Sequence, residues 1–378
     1  MILLSNAGTN IQVADRPSDT IAVGTVDGVA ILERVDGIWT VASRGLQGCS
    51  VGAVTALPNG TLFAATHGIG VARSRDGGKS WEWVNNGLQH FDLWSARGGR
   101  LMGRDVVLVG AQPAHLHMSV DEGASWQELP ALREVESVER WRFPPPPRIA
   151  HIKDIVVDGD RLLVGIEIGA LLVSTDFGKS FSEIAVEPDP AECDIHRILV
   201  HPKRPQRFIV ANGIVGLMSS DDGGKTWRRN PMPQGGNYPD AIVIDPDEPD
   251  LVFMTVGTGW PPHWYQRGRA QGKMFRSRDA GATWQRILNG LPNGQRALFS
   301  ALTIERSGDG VLLFAGDTDG QIFESRDHGE SWTIIADVAP LSKGEFHKAL
   351  VRDRVKQAQI DDIVFTDAAA KRLAAVKP

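Results

Sequence analysis

Apolar runs of three to five residues, separated by turn-forming residues, recur along the chain to about residue 340. In one stretch Ile198-Leu199-Val200, Arg207-Phe208-Ile209-Val210, Gly216-Leu217-Met218-Ser219 and Thr226-Trp227-Arg228 follow one another. The next stretch repeats the pattern at 241–245, 251–255, 274–277 and 283–287. Runs this short, bounded by clusters such as Asp245-Pro246-Asp247-Glu248-Pro249, read as β-strands joined by tight turns. Helix is expected at two places: 132–141 (LREVESVERW), and 346–357 within an Ala-, Lys- and Arg-richer tail at 341–378.

An internal repeat organises these strands. The octet Ser74-Arg75-Asp76-Gly77-Gly78-Lys79-Ser80-Trp81 returns at Ser119–Trp126, Ser220–Trp227, Ser277–Trp284 and Ser325–Trp332. A copy at Ser174–Phe181 exchanges Trp for Phe, and a worn one remains at Asp36-Gly37-Ile38-Trp39. The aromatic anchors at 39, 81, 126, 181, 227, 284 and 332 lie 42 to 57 residues apart, the length of a four-stranded propeller blade. The Asp accepts hydrogen bonds from its own turn, the Gly supplies positive φ, and the aromatic is expected to bury its flat surface between strands. The expected fold is all-β: a seven-bladed β-propeller over 1–340 with a short, partly helical C-terminal tail over 341–378.

The octets resemble the Asp-boxes of the BNR-repeat proteins, a group that includes sialidases, endoglucanase-like glycosidases, sortilin-type receptors and photosystem assembly factors. The resemblance covers nearly the whole chain to Trp332. It implies that Asp76, Asp121, Asp176, Asp222, Asp279 and Asp327 are structural and lie on the face opposite the functional site. The group spans enzymes and binders, so the resemblance implies a fold and not one chemistry.

Composition narrows the partners. A net charge of -6 lacks the basic stripe that nucleic acid requires. Cys49 and Cys193 are too few for a disulfide framework. No stretch reaches the roughly 20 apolar residues of a membrane span, and residues 1–6 do not read as a secretory leader, so the expected compartment is the cytoplasm.

The candidate chemistry is set by position relative to the boxes. His90, His151, His196 and His347 fall in linkers entering an inner strand, and His67, His115 and His263 in loops between second and third strands. Seven of the ten histidines therefore map to one face. A subset of His67, His151, His196, His263 and His347 is the candidate ligand set for one divalent transition metal. Surface loops also collect polar residues with no metal in view. His115-Leu116-His117 alternates so that both rings share one strand face, a weak motif alone.

His151, His196 and Asp154 are candidate catalytic residues, with Arg148, Arg197 and Arg296 neutralising a developing anion. Three such arginines resemble the sialidase triad, but the Phe/Tyr-Arg-Ile-Pro motif is absent. Asp154, Glu167 and Asp194 are candidate acceptors behind metal-bound histidines. Trp260, His263, Trp264 and Tyr265, in the insertion at 257–269, with Tyr238, Asp240 and Glu167, are candidate substrate-binding residues. That insertion is either a stacking platform for a sugar ring or a loop folded over the blade edge with its aromatics buried. A second insertion spans 129–148.

The leading expectation is a hydrolase or lyase acting on a small-molecule or carbohydrate-like ligand at the top of the channel. The rival is a non-catalytic binding or assembly scaffold.

Overall fold

The computed structural model describes residues 1–143, 148–293, 296–308 and 310–341. The tail expected over 341–378, with its helix and His347, lies outside the described residues apart from Leu341. The strands form seven sheets, one per blade. The second blade shows the common pattern: Val51–Ala56, Leu62–Thr66, Gly70–Ser74 and Glu82–Trp83, each antiparallel to the next. The inner and second strands of the blades are largely buried on both faces because each blade packs against two neighbours, so the cores lie between blades.

Six Asp-boxes close the outer hairpins with one hydrogen-bond set. Gly78 N–H donates to Ser74 Oγ, Ser74 Oγ–H donates to Asp76 Oδ1, and Ser80 N–H donates to the same oxygen, at 2.8, 2.8 and 2.9 Å. The fourth and fifth residues of each octet turn the chain at positive φ, as at Gly77 (73°) and Gly78 (86°) or His328 (57°) and Gly329 (77°). The worn seventh copy is different: Asp36 and Gly37 make a two-residue hairpin with φ of 51° and 81°, the geometry that matches strand twist. The anchors are not uniformly buried. Trp39, Trp126 and Trp332 are buried, whereas Trp81, Phe181, Trp227 and Trp284 are half-buried because they cap the blade edge.

The boxes make a pH prediction. The Ser80, Ser180 and Thr226 hydroxyls, followed by backbone N–H donors, hold Asp76, Asp176 and Asp222 at about 2. A carboxylate depressed in the fold stabilises it above the unfolded value of about 3.9, and that stability is lost as pH falls through the folded value. Acid unfolding is therefore expected to steepen between pH ~4 and ~2. In a triple Asp76→Asn, Asp176→Asn, Asp222→Asn variant, circular dichroism against pH should show a flatter slope there. An unchanged slope would remove the boxes as the cause.

Two elements differ from the sequence expectation. Residues 132–141 hold no α-helix: two 3-10 turns, Pro130–Arg133 and Glu136–Arg140, are separated by extended Val135 (φ -80°, ψ 153°). Glu183 accepts from Ser137 N–H at 2.8 Å, which ties the segment to the fourth blade. An unforeseen helix, Pro261–Arg267, starts with Pro in its first turn and stops at Gly268 in the left-handed region.

The chain closes its ring from within. Strand Ile2–Leu4 is the inner strand of the first blade and runs parallel to Thr20–Thr25. Strand Ile11–Val13 adds parallel to Phe299–Ser307 on the inner edge of the seventh blade. Between them Ser5-Asn6-Ala7-Gly8-Thr9-Asn10 crosses the central channel. Ala7 and Thr9 N–H donate to Gly52 and Val54 carbonyls, and Ala96 N–H donates to Ala7 O. Lys153 Nζ donates to Asn6 Oδ1 at 2.6 Å, Arg197 donates to the Asn6 and Gly8 carbonyls, and Asn10 Nδ2 donates to Ile242 O at 3.2 Å. Asn6 Nδ2 reaches Ser300 O at 2.8 Å. One hexapeptide thus ties the second through seventh blades together. Its residues are small because the channel is narrow: a Cβ on Gly8 would lie 2.1 Å from Val54 O.

Candidate functional site

Inner strands begin, and second strands end, on the face opposite the Asp-boxes. His151 opens strand His151–Asp158, His196 is second in Ile195–Val200, and Tyr238 opens Tyr238–Ile244. Glu167 ends Arg161–Glu167 directly opposite His151 in register. These positions meet at the channel mouth, above the hexapeptide.

His196 is the centre of the cluster. Its Nδ1 lies 2.7 Å from the Pro239 carbonyl, so Nδ1–H donates there and Nε2 faces the rest of the cluster. Around Nε2 stand the Tyr238 hydroxyl at 3.2 Å, Asp194 Oδ1 at 3.5 Å and Glu167 Oε1 at 3.7 Å. His151 Nε2 lies 3.2 Å from Glu167 Oε2. Glu167, Asp194 and His196 bring one ligand atom each within 4.8 Å of one another, and all three are buried. Asp194 Oδ1 has no hydrogen-bond partner. Gly213 backs the cluster: a Cβ there would fall 2.3 Å from Asp194 Oδ2 and 2.5 Å from His196 Nε2.

The electrostatics follow from burial. Desolvation, then the Glu167, Asp194 and Asp240 carboxylates, raise the Tyr238 phenol well above its usual value, so it stays a donor toward His196. Burial lowers His151 despite the Glu167 hydrogen bond, keeping that ring neutral. Neutral imidazole beside clustered carboxylates is a donor set that suits a divalent cation.

The remaining candidates divide by position. Asp154 and Arg197, expected to be catalytic, lie further along the same strands and hold the hexapeptide instead. Arg197 Nη1 donates to Asp154 Oδ1 at 2.8 Å, and Ile198 N–H donates to Asp154 Oδ2 at 2.8 Å. His67 pairs with Asp92 at 3.0 Å and is separated from the cluster by Trp94, whose ring packs 3.8 Å from His151. His263 is exposed on the short helix, where its Nδ1 faces Trp260 N at 3.4 Å as a cap, so it does not join the metal candidates. Arg148 is exposed, and Arg296 pairs with Asp319 at the rim.

In the 257–269 insertion the two tryptophans part. Trp260 is 49% exposed, whereas Trp264 is fully buried, donates to Thr258 O at 2.9 Å and packs edge-on against Tyr238. Trp264 is therefore an anchor rather than an exposed platform. Tyr265 lies outside the described side chains. Sequence reasoning missed Trp94, Phe143 and Gly213. Phe143 packs edge-on to His151 at 4.8 Å. Gly213 had one available signal, its place in the loop after the second strand, where close backbone approach favours glycine.

Seven blades and six Asp-boxes define a β-propeller of the BNR/Asp-box type. The family model described as Sortilin, neurotensin receptor 3 matches residues 169–290. No curated protein sequence matches the chain. Among solved structures the chain is similar to an ancestral GH74 enzyme: 18% identity, TM-score 0.60, covering 76% of this chain and 38% of that one. It is similar to the GH74 xyloglucanase from Xanthomonas campestris: 18% identity, TM-score 0.63, covering 91% and 58%. A structure of YCF48 bound to D1 peptide matches at 16% identity and TM-score 0.52, covering 86% of each chain. The chain thus spans less than two thirds of either GH74 protein, and at these identities the likeness is one of fold.

Proposed function

We propose that the channel mouth is a divalent-metal centre held by Glu167, Asp194 and His196, and that the protein acts there as a hydrolase or lyase on a small, carbohydrate-like molecule. The observation that carries this reading is the buried convergence of two carboxylates on the Nε2 of an imidazole whose Nδ1 is held by a backbone carbonyl. A bound cation supplies Lewis acidity and an acidified water. His151, neutral and joined to Glu167, is the group suited to take up or return a proton. Tyr238, whose hydroxyl lies 3.2 Å from His196 Nε2, would release that nitrogen to a bound cation and stay beside it as a donor, and Arg148 and Arg296 at the rim suit an anionic group on the ligand. Propellers of this shape include GH74 glycoside hydrolases as well as YCF48, so the fold is compatible with catalysis and with peptide binding.

Metal analysis and divalent-ion titration of the purified protein test the reading. Near-stoichiometric binding is expected, with Glu167→Gln and His196→Ala each weakening it by at least about 100-fold and abolishing turnover in a glycoside screen. A wild-type chain that neither holds nor takes up a divalent ion would leave the non-catalytic scaffold as the better account.

A further inference from the structure

Away from the channel, three imidazoles and a carboxylate meet on the seam between the second and third blades. His115 precedes strand Leu116–Ser119 and His117 lies within it, so period-two alternation puts both rings on one face. Glu128 is the register partner of His117 on the neighbouring strand. His90 comes from the linker between the blades and stacks on His115 at 3.7 Å, with His117 at 5.3 Å. One ligand atom each of His90, His115 and Glu128 lies within 4.8 Å of the others. His117 is fully buried with neither ring nitrogen hydrogen-bonded, and His90 Nδ1 is likewise buried without a partner. Buried nitrogens without a partner are costly, and three of them lie here, two on His117 and one on His90.

We propose that this seam is a second, independent metal site, in which His90, His115 and Glu128 hold a zinc-like divalent ion that staples the linker to the third blade, with the fourth position left to water. Two imidazole nitrogens and a carboxylate oxygen, half-buried and with a fourth position open to water, match the three-protein-ligand tetrahedral set of zinc. Glu128 Oε1 lies 2.6 Å from His115 Nδ1, and Arg133 Nη1 donates to His115 Nε2 at 2.9 Å. A cation between Nδ1 and Glu128 replaces the proton they share. The Nε2 atom then carries hydrogen, so exposed Arg133 must let go. Closing on the ion also requires the stacked His90 and His115 rings to splay, which the linker position of His90 permits.

The test uses the full chain carrying Glu167→Gln and Asp194→Asn, which removes the channel ligands, so its outcome does not depend on the proposed function. After dialysis against a chelator, Co²⁺ is titrated and followed by visible absorption, then displaced by Zn²⁺. One equivalent is expected, with the intense bands of a tetrahedral site and a raised melting temperature. His90→Ala and Glu128→Gln should each weaken it by at least about 100-fold. Arg133→Met, which removes the competing donor and leaves the core untouched, should tighten it. No bound equivalent in a folded background variant would overturn the inference. So would binding indifferent to His90→Ala, Glu128→Gln and Arg133→Met alike.

Discussion

Arg197→Met is expected to destabilise the protein by about 3–5 kcal/mol, the effect of breaking a buried ion pair from one side. Arg197 and Asp154 are 3% and 1% exposed, and the guanidinium also donates to two carbonyls of the channel-crossing hexapeptide. Removing it leaves the Asp154 carboxylate with Ile198 N–H and with Arg97 at 3.5 Å, and leaves the Asn6 carbonyl without this donor. Because the hexapeptide touches six blades, the loss should lower the whole cooperative transition instead of fraying one blade. The Arg197→Met, Asp154→Leu double variant should not recover the deficit, since it also takes the ion-pair partner from Arg97 and the acceptor from Ile198 N–H. Denaturant melts of the four proteins measure this. If Arg197 were instead a ligand-facing group, Arg197→Met would leave the midpoint in place.

Trp264→Ala is expected to cost about 3–5 kcal/mol, the range for truncating a buried large aromatic. Trp260→Ala, on the exposed side of the same insertion, should stay within about 0.5 kcal/mol. The Trp264 ring fills the space over Gly257, where a Cβ would lie 2.4 Å from Trp264 Cζ2, and supports the Tyr238 ring at 5.0 Å between centroids. Its loss should therefore also loosen divalent-ion binding through Tyr238 and His196. Melting curves with a metal titration separate this from a sugar-stacking role, in which Trp260→Ala would impair ligand binding and Trp264→Ala would leave stability unchanged.

The two insertions show why local pattern misled. Residues 132–141 carry helix-favouring Leu, Arg and Glu, but a hydrogen bond from Ser137 to Glu183 of another blade stabilises broken 3-10 turns instead. The helix at Pro261–Arg267 has a Pro-Pro start and a Gly268 stop that the sequence carries, but its seven residues are too few for an apolar periodicity to show. The residues Ser5-Asn6-Ala7-Gly8-Thr9-Asn10 carry no periodicity at all, and only their uniformly small size fits them to a channel.

By itself the sequence determined the blade count, the box hairpins and the face on which His151, His196 and Glu167 lie. Those features are local: a turn's hydrogen bonds and an alternating strand depend on residues a few positions apart. Tertiary structure alone decided which members of that face touch. It joined Glu167, Asp194 and His196, withdrew Asp154 and Arg197 to hold the hexapeptide, and gathered His90, His115 and His117 on a blade seam. Depth along a channel and the side toward which a strand face turns depend on how the blades close around their axis, and spacing along the chain does not encode either distance.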